Sequence, residues 1–348
     1  MKKLGFGIIG TGAIATMHAL AIKDMEAGKL VGCFDIRKEA SEKFASKYDC
    51  KAYSDLDLML SNPDIAIITV ATPSGLHLEG ALKAARAKKH VIVEKPLEVT
   101  GERCDQIINA AKENNVLLAG IFPTRFHESS VIVKKAIDEG RLGKIVLCDA
   151  YIKWFRSQAY YDSGAWRGTW KLDGGGALMN QSIHAVDMLQ WLSGGVESVN
   201  SFTDTVAHER IEVEDVAVSR VKFKNGAVGV IEGTTCAYPG MMKKIELCGT
   251  KGTIVLEENN ILVWDFEEKR PEDEEILKKY GKATTSGGGA GDPMAIDYKG
   301  HQRQFENMVN AIENGEKLLV DGEEAKKAVS IIEAIYQSSK NNETVSIK

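Results

Sequence analysis

The sequence predicts an α/β fold in which a doubly wound parallel sheet is followed by a second, α+β domain built on a large, mainly antiparallel open sheet. Three observations predict it. Short apolar runs alternate with helical segments through the first third of the chain, a G-x-G-x-x-A stretch from Gly10 to Ala15 directly follows the first run, and beyond about Phe122 strands with polar alternation dominate. The first two together describe a Rossmann domain. At 348 residues the chain has room for two domains of roughly 100–200 residues, each able to bury a core without disulfide or metal staples.

In chain order, Leu4 to Ile9, Leu30 to Phe34, Ile65 to Val70, Val91 to Val93 and Val116 to Ile121 are apolar and rich in β-branched residues. They lack polar alternation, as strands covered on both faces do. Between them, Ala13 to Ala27, Lys38 to Tyr48, Ser74 to Lys88 and Gly101 to Asn114 mix apolar and charged residues at helical spacing, with Ser74 and Thr100 as N-caps. Strand, helix, strand repeated in this way implies right-handed crossovers in a parallel sheet.

The second half opens with a helix near Glu128 to Glu139 and a long alternating strand from Lys144 to Phe155. A loop rich in Tyr, Trp, Arg and Gly leads into a helix from Ala177 to Leu192. Val216 to Phe223 and Ala227 to Glu232 are joined at Asn225-Gly226, a pair suited to a two-residue hairpin. Lys243 to Cys248, Thr253 to Leu256 and Ile261 to Trp264 continue the meander. Glu267 to Asp292, acidic and then Gly-rich, reads as a lid-like loop. Helices near Tyr298 to Glu313 and Glu323 to Ser338 and a short strand close the chain. The expected domains are residues 1–122 and 123–348, with the C-terminal helix free to pack back on the first.

Forty-four basic against 49 acidic side chains leave a net charge of −5. No concentrated basic block is present, which argues against nucleic acid and for a small neutral or modestly anionic partner. The six cysteines form no C-x-x-C pair or short Cys/His cluster, so no metal site or disulfide framework is expected. The apolar run after Met1 ends at Gly10, too early for an export signal, and no stretch approaches the ~20 apolar residues needed to span a bilayer. A cytoplasmic location with reduced thiols follows as the expectation.

The chemistry begins at Gly10-Thr11-Gly12-Ala13-Ile14-Ala15. The first glycine permits a tight turn, the second lets backbone approach a pyrophosphate, and Ala15 allows close helix-to-strand packing. The helix start at Ala13 and Ile14 supplies N–H groups and a positive dipole end. Asp35 lies at the end of the second strand, 20 residues beyond Ala15. A carboxylate there accepts from the ribose hydroxyls and repels a 2′-phosphate, so NAD is expected over NADP. Arg37 keeps NADP as the alternative, since a guanidinium can stack on adenine or accept that phosphate. Thr72-Pro73 and Glu94-Lys95-Pro96 follow two further strands and so join the same crevice at the carboxyl edge of the sheet. His77, on the next helix, is open to two readings: a cofactor contact or a surface cap.

Trp166 and Arg167 offer stacking and charge to a polyhydroxylated ligand, and the Gly174-Gly175-Gly176 triplet allows another group to approach closely. On the helix that follows, Asn180 and His184 are i and i+4 and share a face, with Asp187 returning near it. Arg125 is a further candidate for substrate contact.

With these motifs in their order, the chain resembles the glucose-fructose oxidoreductase, inositol dehydrogenase and rhizopine catabolism (Gfo/Idh/MocA) family over nearly its whole length. The likeness rests on G-x-G-x-x-A, E-K-P at Glu94 to Pro96, G-G-G-A-L-x-N-x-x-x-H from Gly174 to His184, and His301-x-x-Gln304. The resemblance implies an NAD(P)-dependent oxidoreductase acting on a sugar or cyclitol, with Lys95 and His184 beside the nicotinamide. It also implies a homodimer or homotetramer assembled through the second domain's sheet. Many members carry Asp where this chain has Asn180, which can orient a hydroxyl but cannot accept its proton. His184 is then favoured as acid/base, with Lys95 polarising the reacting oxygen. Two other readings stay open: a redox-neutral, NAD-dependent glycosidase and a non-catalytic NAD or sugar sensor.

Overall fold

The structure, a computed structural model, describes residues 3–281 and 298–347. They form two compact units, one drawn from Met1–Pro123 and Asp297–Val329, the other from Thr124–Ile296 and Ser330–Lys348.

The first unit holds six parallel strands: β1 (Leu4–Ile9), β2 (Gly28–Phe34), β3 (Lys51–Tyr53), β4 (Ile67–Val70), β5 (His90–Val93) and β6 (Leu118–Gly120). Their order is β3-β2-β1-β4-β5-β6. Phe6, Ile8, Ile67, Ile68, Val91 and Ile92 are fully buried, which accounts for the absence of polar alternation in these strands. The strand order reverses between β1 and β4, so the carboxyl ends of those strands border the crevice where open α/β sheets take ligands. Strand β3 and the short helix Leu56–Leu60 carry no sequence signal, because three and five residues are too few to show a period. Thr100 does cap its helix, accepting from the N–H of Arg103 at 3.3 Å. Ser74 instead begins a 3-10 turn, Ser74–Leu76, ahead of the helix His77–Arg86.

Beyond the seam near 122, the helix Lys299–Asn314 packs in the first unit. Phe305, Met308 and Val309 belong to its core, and Phe305 stacks on Phe6 with ring centroids 5.8 Å apart. The apolar stripe of this helix matches the covering needed over β1, a relationship between residues nearly 300 positions apart that no local pattern announces.

The second unit carries β7 (Ile145–Lys153), β8 (Val196–Asp204), β9 (Val216–Phe223), β10 (Val228–Thr234), β11 (Lys244–Gly249), β12 (Gly252–Glu257), β13 (Asn260–Phe266) and β14 (Val345–Ser346). Their order is β13-β12-β11-β7-β10-β9-β8-β14, antiparallel except where β7 runs parallel to β10. The β9–β10 turn differs from the expected two-residue form. Phe223 donates to the carbonyl of Ala227 and only Gly226 of the turn takes a positive φ, 87°, the pattern of a three-residue loop with a glycine bulge. The expected loop from Glu267 is in part a helix, Glu272–Tyr280. Asp273 fixes it by accepting from Arg141 at 2.7 and 2.8 Å and from the Trp264 indole at 2.7 Å. The Gly-rich run at 286–291 lies outside the described residues.

Candidate active site

In the first unit the Gly-rich turn is built as its sequence requires. Gly10 has φ +89°, and a Cβ there would stand 2.8 Å from the carbonyl oxygen of Ala71 and 2.9 Å from the Thr72 nitrogen. A Cβ on Gly12 would meet nothing within 4 Å, so the space a pyrophosphate needs is open. Gly12 caps the helix Ala13–Asp24 without a side-chain hydrogen bond, and the first turn holds no acidic residue. Its N–H groups and dipole end are left for an anion. Ala15 is fully buried against the sheet.

Asp35 closes the same turn. Its Oδ2 accepts from the N–H and the hydroxyl of Thr11, both at 2.9 Å, and its Oδ1 accepts from the N–H of Arg37 at 2.9 Å and its Nε at 3.3 Å. Burial works against the ionised carboxylate, but these donors outweigh it and hold the carboxyl below its usual range. A fixed anion beside the glycine turn suits ribose hydroxyls. The Arg37 side chain is largely exposed and paired with Asp35. The residues present therefore fit a dinucleotide.

Two sequence expectations in this unit need correction. His77 is not a surface cap: it is buried, with Nδ1 2.8 Å from the carbonyl oxygen of Pro96 and Nε2 3.0 Å from that of Thr72. It ties the loop after β4 to the loop after β5. Burial pushes its pKa down. Glu94 was expected at the cofactor, yet its carboxylate is buried and both oxygens are engaged within the unit. Oε1 faces His18 Nε2 at 2.8 Å and Oε2 accepts the N–H of Lys95 at 2.9 Å. Lys95 itself stays partly accessible. Gln304 of the closing helix accepts from the Phe122 N–H at 3.0 Å and donates to the carbonyl of Gly120 at 2.6 Å, fixing the chain just after β6.

In the second unit the expected helix from Ala177 begins as a π-helical segment, Ala177–Ser182, and continues as an α-helix, Ile183–Ser193. Of residues 177–193, Asn180, His184 and Trp191 alone are not buried, so the shared face of Asn180 and His184 is the accessible one. Asp187 does not belong to that face. It is wholly buried and accepts from Arg125 at 2.8 and 2.6 Å. Arg125, expected to meet substrate, is itself fully buried in that pair and lies over the Trp191 ring at 5.1 Å.

The glycine triplet makes room for protein. A Cβ at Gly176 would stand 1.9 Å from the carbonyl oxygen of Glu214, and one at Gly175 would stand 2.1 Å from the Tyr336 hydroxyl. The buried Glu214 carboxylate accepts from the N–H of Gly176 at 3.0 Å, of Leu178 at 2.8 Å and from Tyr336 at 3.0 Å. It thus caps the helix that carries Asn180 and His184.

Asn180 donates to Asp173 and accepts from Gln181 at 2.7 Å. Gln181 also donates to the Tyr160 hydroxyl at 3.0 Å and accepts from Arg156 at 2.8 Å. The Arg167 guanidinium lies 4.1 Å from the Tyr160 ring and 4.5 Å from the Trp166 ring. Tyr160, Arg156, Gln181 and Glu214 went unrecognised in the sequence. Of these, only Tyr160 and Arg156 carried a signal, the aromatic and cationic density of 154–171.

Among the described residues, two clusters group metal-ligating types, His18/Glu94/His301 and His208/Asp215/Cys236. The shortest separation in each is a hydrogen bond, His18–Glu94 at 2.8 Å and His208–Asp215 at 3.0 Å. Asp215, for example, accepts the N–H groups of Val206, Ala207 and His208 as well as His208 Nδ1 at 3.0 Å.

Residues 4–121 match the family model described as an oxidoreductase family with an NAD-binding Rossmann fold, and residues 131–255 match the GFO/IDH/MocA C-terminal domain. The chain is 30% identical over 298 residues to a levoglucosan dehydrogenase of Pseudarthrobacter phenanthrenivorans, covering 73% of this chain and 74% of that protein. To a myo-inositol 2-dehydrogenase of Thermotoga maritima it is 30% identical over 253 residues, 71% of this chain and 73% of that protein. Among solved structures it is similar to the WlbA dehydrogenase of Bordetella pertussis in complex with NADH and UDP-GlcNAcA. The TM-score is 0.89 and the identity 33%, over 100% of this chain and 98% of that one.

Proposed function

This chain belongs to the Gfo/Idh/MocA oxidoreductases, whose first domain is an NAD-binding Rossmann fold, and from that membership we propose how its own residues act on a sugar-type alcohol. The substrate is a sugar, cyclitol or sugar derivative, oxidised at a secondary hydroxyl or reduced at the corresponding ketone. The observation that carries this is the partial accessibility of Asn180 and His184 on a helix whose other residues, Trp191 apart, are buried.

NAD, when bound, supplies the hydride acceptor. Gly12, Ala13 and Ile14 hold its pyrophosphate by backbone N–H groups while Gly10, whose own N–H donates to the carbonyl of Phe34 at 2.8 Å, makes the tight turn; Asp35 holds its ribose, with Arg37, Thr72 and Pro73 beside it. His184 takes the hydroxyl proton, since imidazole titrates near neutrality. Lys95, as an ammonium, donates to the reacting oxygen; an ordinary lysine with pKa near ~10.4 is a weak base at neutral pH. Asn180, held by Asp173 and Gln181, orients a substrate hydroxyl, and Trp166 and Arg167 form a stacking and charged wall for the rest of the molecule.

Two wider features belong to the same reading. One face of the second unit's sheet carries Leu147, Phe202, Val218 and Val228, all exposed in this chain. We place a homodimer or homotetramer contact there, because large apolar side chains grouped on an open sheet face, here beside the charged Arg220 and Lys222, are covered in stable assemblies. A cytosolic location agrees with six free cysteines, and no helix among the described residues is long and apolar enough to cross a membrane.

The test is to incubate the protein with NAD and with NADP against levoglucosan, myo-inositol and UDP-GlcNAcA, following nicotinamide reduction. NADH formation with at least one of them, and more slowly with NADP, is expected. Release of an alcohol without net NADH would overturn the dehydrogenase reading in favour of redox-neutral glycoside cleavage.

A further inference from the structure

Glu94 joins three distant parts of the first unit. Its Oε1 lies 2.8 Å from Nε2 of His18 on the helix Ala13–Asp24 and 3.6 Å from Nε2 of His301 on the helix Lys299–Asn314. Its Oε2 accepts the N–H of Lys95 at 2.9 Å. All three side chains are buried, each at most 4% exposed. The other nitrogen of His18, Nδ1, is 2.7 Å from the hydroxyl of Thr69 on β4. One assignment satisfies every partner: a neutral His18 that donates from Nε2 to Glu94 and accepts the Thr69 hydroxyl at Nδ1.

The charge states agree with that assignment. Burial pushes the pKa of His18 down, with Glu94 working in the opposite sense. For Glu94, burial disfavours the carboxylate, but the hydrogen bond from His18 and the nearby His301 ring, 3.6 Å away, outweigh it and hold the group well below its usual range. An ionised carboxylate is thus fixed behind the E-K-P turn. On the other side of Lys95, His77 meets the carbonyl of Pro96 at 2.8 Å, and Arg103 grips Glu98 at 2.9 and 2.7 Å. The backbone is therefore held both before and after the lysine.

We propose that His18 and His301 are positioning residues for Lys95, acting through Glu94. The histidine pair fixes the carboxylate, and the carboxylate fixes the backbone N–H from which the lysine side chain departs. Displacing a reacting group by about 1 Å costs roughly 10²-fold in rate, so a network that pins this peptide is worth its buried charge. The inference rests on the reading that Lys95 donates to the reacting oxygen.

The experiment compares His18→Leu, His18→Gln, His301→Leu and Lys95→Met in the full chain, with two readouts. The first needs no substrate: acetylation of Lys95 by trace acetic anhydride as a function of pH, quantified by mass spectrometry against the exposed Lys83. The acetylation rate of Lys95 relative to Lys83 should change by about threefold or more in both leucine variants and return in His18→Gln. The second is kcat and KM with NAD and UDP-GlcNAcA or whichever tested sugar is oxidised: kcat falls about 10²-fold with KM and NADH affinity nearly unchanged. Folded leucine variants that keep both the Lys95 profile and kcat overturn the proposal, and if one leucine variant does not fold, the other decides. If Lys95→Met retains turnover, the catalytic reading of Lys95 fails, and the labelling readout still decides whether the histidines set its position.

Discussion

The hydroxyl of Tyr336 lies 3.0 Å from Oε1 of Glu214, at a point where a Cβ on Gly175 would approach that hydroxyl to 2.1 Å. The last helix, Gly322–Asn341, thereby reaches the cap of the helix that bears His184. Gly175 and Gly176 leave the room this contact needs, and the accessible face of the helix is set by protein packed behind it.

Gly176→Ala should therefore destabilise the fold severely, by about 3 kcal/mol or more, because its Cβ would collide with the carbonyl of Glu214 1.9 Å away. A thermal melt checks this; a loss under about 1 kcal/mol would mean that the backbone yields there at little cost.

Gly12→Ala tests the opposite situation. With nothing within 4 Å of the added Cβ, the melting temperature should stay close to wild type while NADH affinity, read by fluorescence titration, drops about tenfold or more as the methyl group meets the pyrophosphate. Unchanged NADH affinity would remove the turn from the cofactor site.

Glu214 gives a pH dependence with a defined sign. Burial pushes its carboxyl up to about 7, although the N–H groups of Leu178 and Gly176 and the Tyr336 hydroxyl favour the charged form. The folded state thus holds this proton more tightly than the unfolded chain. The stability it contributes is fully present below the ordinary glutamate pKa and is lost as pH rises through about 7. Over that window wild type should lose about 2–3 kcal/mol relative to Glu214→Gln, measured by urea unfolding at about pH 5 and about pH 8. Parallel pH profiles for the two proteins would exclude the titration.

Asp187→Ala should cost about 3–5 kcal/mol, since it leaves the Arg125 guanidinium buried without its carboxylate. In the folded remainder KM for the sugar should hold. A raised KM at unchanged stability would return Arg125 to the substrate site.

The sequence already displayed much of this. The parallel strands, the glycine turn and Asp35 are legible because each depends on residues close in the chain or at a fixed spacing. The structural partners of His77, Glu94 and Arg125 were not legible because Pro96, His18 and Asp187 are 19, 76 and 62 positions away, beyond any local period. Glu214 is illegible for the same reason, as its carboxylate caps a helix that starts 37 residues earlier. Burial turns polar side chains into structural partners, and burial is a property of the assembled unit.

Single-turnover hydride transfer in Lys95→Met and His184→Ala, each loaded with NAD and mixed with the sugar alcohol that the wild type oxidises, tests the proposed chemistry most directly. Both rates should fall by about 10²–10⁴-fold with NADH affinity within a few-fold of wild type. Near-normal transfer in either variant would show that the residue changed takes no part in the reaction.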